Sequence, residues 1–149
     1  MGTLPSEIGP YRVARKLGEG GMGAVYEAVH QTISRRVAIK VLHPEAGRSP
    51  ETINRFINEA RAGNLIGHPG LVQITDFGNL PDGSGYLVME YLQGETLAER
   101  LEASGRKLAP EDAVQIGIQI ASALHACHKK GIIHRGLMRS IITVEKWLF

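Results

Sequence analysis

From residue 11 onward the chain alternates apolar and polar positions with a period of two, which predicts strands. Residues 11–17 form one candidate. A Gly-rich turn follows, and then residues 24–30, where Val25, Glu27 and Val29 face one way and Tyr26 and Ala28 the other. Residues 36–42 repeat the pattern, with Val37, Ile39 and Val41 on one face. The period then changes. Ser49-Pro50-Glu51 opens a helix with a Ser N-cap, Pro at the first helical position and an acid in the first turn. The helix runs to about Ile66, where Gly67-His68-Pro69-Gly70 stops it. Residues 71–77 and 85–92 read as two further strands around a turn at 79–84. A short helix over 96–103 and a longer one over 110–129 complete the pattern, and Gly131 ends the latter. Residues 1–10 hold Gly, two Pro and few apolar positions, and read as a loose lead-in. Three strands, a helix, two strands and then helices make an α+β order.

A chain of 149 residues has room for one ordinary domain, and 43% hydrophobic with 21% charged residues suits a globular one. The net charge of +2 is spread along the chain and forms no basic stripe, so nucleic acid is not expected as a partner. The single cysteine, Cys127, permits no internal disulfide. No apolar run reaches the roughly 18 residues of a membrane span. No basic segment leads into an apolar stretch at the N-terminus, so no signal peptide is expected. Met1-Gly2 with Ser6 fits the loose myristoylation pattern, but Pro5 inside it favours chance. These features predict a cytoplasmic location and no membrane contact.

Gly18-Glu19-Gly20-Gly21-Met22-Gly23-Ala24-Val25 matches G-x-G-x-x-G-x-V. Glycines let a backbone approach phosphates closely and aim N–H groups at an anion. A dinucleotide site would need a helix after the loop. Here a period-two strand follows, so the loop closes a hairpin, and a plain Gly-rich turn remains the other reading. On the next strand Lys40 alternates with Val37, Ala38, Ile39 and Val41. Its stem is expected along a buried face, and a buried cation needs a counter-charge. Glu59 on the following helix is the candidate.

With these motifs in order, the chain resembles the Hanks-type (eukaryotic-like) Ser/Thr protein kinases, the bacterial branch in particular, over residues 11 to about 144. Leu17 to Tyr26 looks like the phosphate loop, and Val37-Ala38-Ile39-Lys40 like the third-strand lysine motif. Phe56 to Ala62 resembles the αC helix, His68 to Val72 the turn after it, and Tyr86 to Leu92 the fifth strand and hinge. The resemblance implies a kinase-like N-lobe over residues 11–92, with a five-stranded antiparallel sheet and the αC helix. The first helices of an incomplete C-lobe would follow over 93–149. It implies ATP as ligand, with Gly18, Gly20 and Gly23 cradling phosphate and Lys40 on the α/β-phosphates, paired to Glu59. Leu17, Val25 and Ala38 would wall the adenine pocket, Met89 would be the gatekeeper, and backbone groups of Glu90 and Leu92 would bond adenine.

The chain also departs from the family. Its catalytic loop reads His134-Arg135-Gly136-Leu137-Met138-Arg139-Ser140-Ile141, where the family has His-Arg-Asp-Leu-Lys-Pro-x-Asn. Gly136 stands at the catalytic base, Met138 at the phosphate-steering lysine and Ile141 at the metal-binding Asn. A positioned base is worth about 10²- to 10⁴-fold and an electrostatic stabiliser about 10²- to 10³-fold, so phosphate transfer is not expected and Mg²⁺ lacks its ligand. Asp76-Phe77-Gly78 precedes the hinge, and Asp76 is expected to open a turn instead of holding metal. Gly63 lacks the bulky side chain that would pack the αC helix. Thr143 replaces an apolar residue under adenine, which predicts weak ATP binding. The altered loop and the unfamiliar stretch past Val144 suggest a frameshifted or truncated reading frame. Residues 110–129 are apolar on nearly all sides, which predicts exposed apolar surface and self-association or docking of a protein partner. His125, Cys127, His128 and His134 could suggest zinc, but Cys127 points away from the two helical histidines, so surface histidines and a core cysteine are expected. Three functions stay open: an ATP-binding, transfer-deficient kinase segment, a pseudokinase docking module, and an active Ser/Thr kinase.

Overall fold

A computed structural model describes residues 5–21, 23–46 and 49–133, except the side chains of Arg55 and of residues 59–63. The elements are β1 (Glu7–Ile8), β2 (Tyr11–Gly20), β3 (Gly23–His30), β4 (Arg36–Leu42), α1 (Pro50–Ile66), β5 (Ile74–Asn79), β6 (Gly85–Glu90), α2 (Leu97–Ala103) and α3 (Pro110–Lys129). They fall into two compact units, one holding β1 to β6 with α1 and the other holding residues 66–71 with α2 and α3.

The first unit is an antiparallel sheet in the order β1-β2-β3-β4-β6-β5. Alternation along β4 gives the sheet two apolar faces. Val37 and Ile39 join Ile8, Tyr11, Ala28, Tyr86 and Val88 on one face. Leu42 joins Leu87 and Phe56 of α1 on the other. The sixth strand, β1, corrects the loose lead-in expected for residues 1–10. Glu7 pairs with Arg12 and Ile8 with Tyr11, and Ile8 is 0% exposed. Two residues are too few to show a period, so the pattern gave no sign of it.

The β5–β6 hairpin corrects a second expectation. Asp76 lies inside β5, past a bulge, opposite Val88, and its carboxylate accepts from the Phe77 N–H at 2.8 Å. The turn comes later, where Leu80 N–H donates to the Ser84 carbonyl and Ser84 N–H to the Asp82 carboxylate. Phe77 is 74% exposed. Gly78 has a packing reason: a Cβ there would stand 2.5 Å from the Tyr86 hydroxyl.

α1 begins where Ser49 Oγ accepts from Thr52 N–H and continues through Gly63 to Ile66. In the second unit, Thr96 caps α2 in a reciprocal box with Glu99. α3 starts on Pro110 and buries Ile116, Ala123 and Cys127 on one stripe, while Val114 and Ile118 are exposed. His68 accepts from Gly70 N–H at Nδ1 and reaches Ser122 Oγ at 3.0 Å through Nε2. The Nδ1 contact fixes the proton on Nε2, so His68 donates to the α3 hydroxyl.

Candidate nucleotide site

Cross-strand register gathers the predicted residues. Gly18 is opposite Val25, Val25 opposite Lys40, and Lys40 opposite Leu87. Directly opposed residues share a face, so Val25, Lys40 and Leu87 form a row across three strands. Glu27, Ala38 and Met89 form the next row. Val25, Ala38, Lys40 and Met89 therefore lie on one face, the face that carries Leu42 and meets α1 through Phe56. The Lys40 ammonium lies 5.9 Å from the centre of the Phe56 ring. Glu59 follows Phe56 by three positions on α1 and so shares its side of the helix, but its side chain lies outside the described atoms.

The three loop glycines differ in what requires them. A Cβ at Gly18 or Gly20 would meet nothing within 4 Å, whereas one at Gly23 would stand 2.0 Å from the Val41 carbonyl oxygen. Gly23 thus serves the close approach of β3 to β4. Gly18 and Gly20 have no such demand from the chain, and the space beside them is open. Leu17, the residue before Gly18, is 40% exposed. Glu90 donates its N–H to the Gln73 carbonyl at 3.0 Å, so that N–H is engaged within the fold. Leu92 opens the part of the chain assigned to the second unit.

Two features escaped the sequence reading. Glu27, only 9% exposed, accepts from Arg15 Nε at 2.7 Å and faces Arg36 Nη1 at 3.6 Å. Arg15 also reaches the Tyr91 hydroxyl at 3.3 Å, and Arg36 stacks 4.4 Å over the Tyr91 ring. The clue was a carboxylate between the apolar residues Val25 and Val29 in a strand. The second feature is a brace on the loop. Lys16 pairs with Glu19, and His43 Nε2 lies 3.1 Å from the Gly20 carbonyl and 3.4 Å from the Glu19 carboxylate. The hydrogen bond from Lys16, and then its charge, hold the Glu19 carboxyl below its usual range.

Gly136, Met138 and Ile141, with Thr143 and His134, lie outside the described residues. Ile141 has no donor atom for a metal, and among the described residues no group of three His, Cys, Asp or Glu could hold one. His125 and His128 are exposed while Cys127 is buried, and burial raises the pKa of its thiol.

The protein kinase domain family matches residues 11–145. The chain belongs to this family. It is 46% identical over 129 residues to the Ser/Thr protein kinase Pkn1 of Myxococcus xanthus, covering 87% of this chain and 18% of that protein. It is 42% identical over 131 residues to PknA of Mycobacterium tuberculosis, covering 85% of this chain and 30% of that protein. Among solved structures, the PknI kinase domain of M. tuberculosis superposes with a TM-score of 0.77 at 27% identity, over 93% of this chain and 56% of that one. The chain thus spans less than a third of these two curated kinases and over half of the solved kinase domain. The antiparallel sheet with α1 is the kinase N-lobe, and α2 and α3 are helices of the same fold.

Proposed function

We propose that this kinase-domain segment binds ATP through its Gly-rich hairpin and Lys40 and does not transfer the phosphate. The observation that carries the binding half is the row Gly18, Val25, Lys40 beside open space at Gly18 and Gly20. The loop N–H groups would take the phosphates, with Lys40 as a point charge on them. Ala38, Val25 and Leu17 would cover adenine and Met89 would close the back, with the Glu90 carbonyl and Leu92 N–H as hinge partners. Glu59 would hold Lys40 in place. A cytoplasmic setting, where ATP is supplied, accords with this reading.

The transfer half rests on chemistry missing from the sequence. Gly136 cannot accept the proton of a substrate hydroxyl, Met138 carries no charge and Ile141 binds no metal. Losing the base alone removes about 10²- to 10⁴-fold. A thermal-shift titration with ATP tests binding: wild type is stabilised, and Lys40→Ala is not. Equal shifts in both, or none in wild type, remove the site. Radiolabelled phosphate transfer to a generic protein substrate would overturn the inactive assignment.

A second reading is a docking module, favoured by Val114 and Ile118, which are 58% and 56% exposed on α3. Sedimentation velocity of Val114→Glu/Ile118→Glu against wild type tests it. Loss of self-association in the variant supports the reading, and a wild type that is monomeric at all concentrations removes the self-associating form.

A further inference from the structure

We infer that His43 is a positioning residue for the phosphate loop, holding the Gly20–Gly21 peptide so that the Gly21 N–H is aimed at bound phosphate. The inference rests on the ATP reading above and assigns a role to a residue outside the motif. His43 lies 23 positions from Gly20 in sequence, yet its Nε2 is 3.1 Å from the Gly20 carbonyl. A carbonyl oxygen only accepts, so Nε2 carries the proton and donates. The same nitrogen lies 3.4 Å from the Glu19 carboxylate, which Lys16 holds from its other side. The tip of the hairpin is thus tied at two neighbouring residues.

The peptide plane carries the consequence. In a trans peptide the carbonyl of one residue and the N–H of the next point in opposite directions, and no described peptide bond is cis. Turning the Gly20 carbonyl to His43 turns the Gly21 N–H away from it. The Gly21 N–H so turned is the donor assigned to phosphate. Gly20 and Gly21 would each accept a Cβ with nothing within 4 Å, so no side-chain packing fixes this peptide. Gly20 is paired with Gly23 in the β2–β3 ladder, and the His43 hydrogen bond adds a second hold on a glycine peptide that has wide backbone freedom.

The test compares His43→Phe and His43→Gln with wild type, using ATP and adenosine as separate ligands in titration calorimetry. Phe keeps a ring but has no donor, whereas Gln places an N–H donor near the position of Nε2. His43→Phe is expected to weaken ATP about three- to tenfold, the worth of one backbone hydrogen bond, and to leave adenosine unchanged. His43→Gln is expected to recover ATP affinity to within about twofold. In ¹⁵N spectra the Gly21 amide is expected to shift on ATP addition in wild type and His43→Gln, but not in His43→Phe. Equal losses for ATP and adenosine would mean a general structural role and overturn the inference, as would unchanged ATP affinity in His43→Phe or no recovery in His43→Gln. If wild type bound neither ligand, the ATP reading itself would fall, and this inference with it.

Discussion

The three loop glycines supply a test in which the same substitution has opposite consequences. An alanine Cβ at Gly23 would sit 2.0 Å from the Val41 carbonyl oxygen, 2.9 Å from its carbon and 3.1 Å from the Leu42 Cα. All three are backbone atoms of β4, so no side chain can swing aside. β3 must separate from β4 at the pair Gly23–Leu42, two residues from Val25–Lys40. Overpacking of this kind costs about 1–3 kcal/mol, and backbone contacts place it toward the upper end. For a unit of this size each kcal/mol lowers Tm by about 4–8 °C, so Gly23→Ala is expected to melt roughly 10–20 °C below wild type. Gly18→Ala meets nothing within 4 Å and is not held at positive φ. It restricts the unfolded chain and should be neutral or stabilising by up to about 1 kcal/mol. Circular dichroism melts of the two variants read this directly. A Gly23→Ala melt within about 2 °C of wild type, or a Gly18→Ala melt well below it, would refute the packing argument.

Ile8→Ala should destabilise the first unit by about 2–4 kcal/mol, read from urea unfolding, because a fully buried side chain leaves a cavity. A loss under about 0.5 kcal/mol would mean that β1 does not hold the sheet. Thr96→Ala should lower the stability of α2 by about 1 kcal/mol, measured as loss of helical signal, through loss of its cap. The Glu99 carboxyl is held below its usual range by hydrogen bonds from Thr96. Its contribution is therefore complete above the unfolded carboxyl pKa and is lost as pH falls through the lower folded value. An acid titration of α2 amide shifts should show this loss in wild type and not in Glu99→Gln.

Strand and helix order was readable because long stretches keep one period. Val37, Ile39 and Val41 alternate cleanly, and Ser49-Pro50 marks the start of α1. The shared face of Ala38 and Lys40 was readable for the same reason: a strand alternates its side chains wherever it pairs. The missed parts depend on partners far away in sequence. Ile8 is buried because β2 receives it, which a two-residue strand cannot announce. Asp76-Gly78 resembled a turn by composition, but Gly78 makes room for Tyr86 on the neighbouring strand. The Glu27–Arg15–Arg36–Tyr91 cluster joins four separate stretches, and Glu27 between Val25 and Val29 signals that a partner is needed without naming it. The difference in role between Gly18 and Gly23 likewise exists only once β4 lies alongside β3.

The central claim is that the face holding Val25, Ala38, Lys40 and Met89 takes ATP without turning it over. Isothermal titration of ATP into wild type and Lys40→Ala, followed by assay of the same wild-type mixture for ADP, tests both halves on one sample. The account predicts measurable binding to wild type, at least tenfold weaker binding to Lys40→Ala, about 1.4 kcal/mol, and ADP no higher than in a protein-free control. Equal affinities, or steady ADP production by wild type, would contradict it.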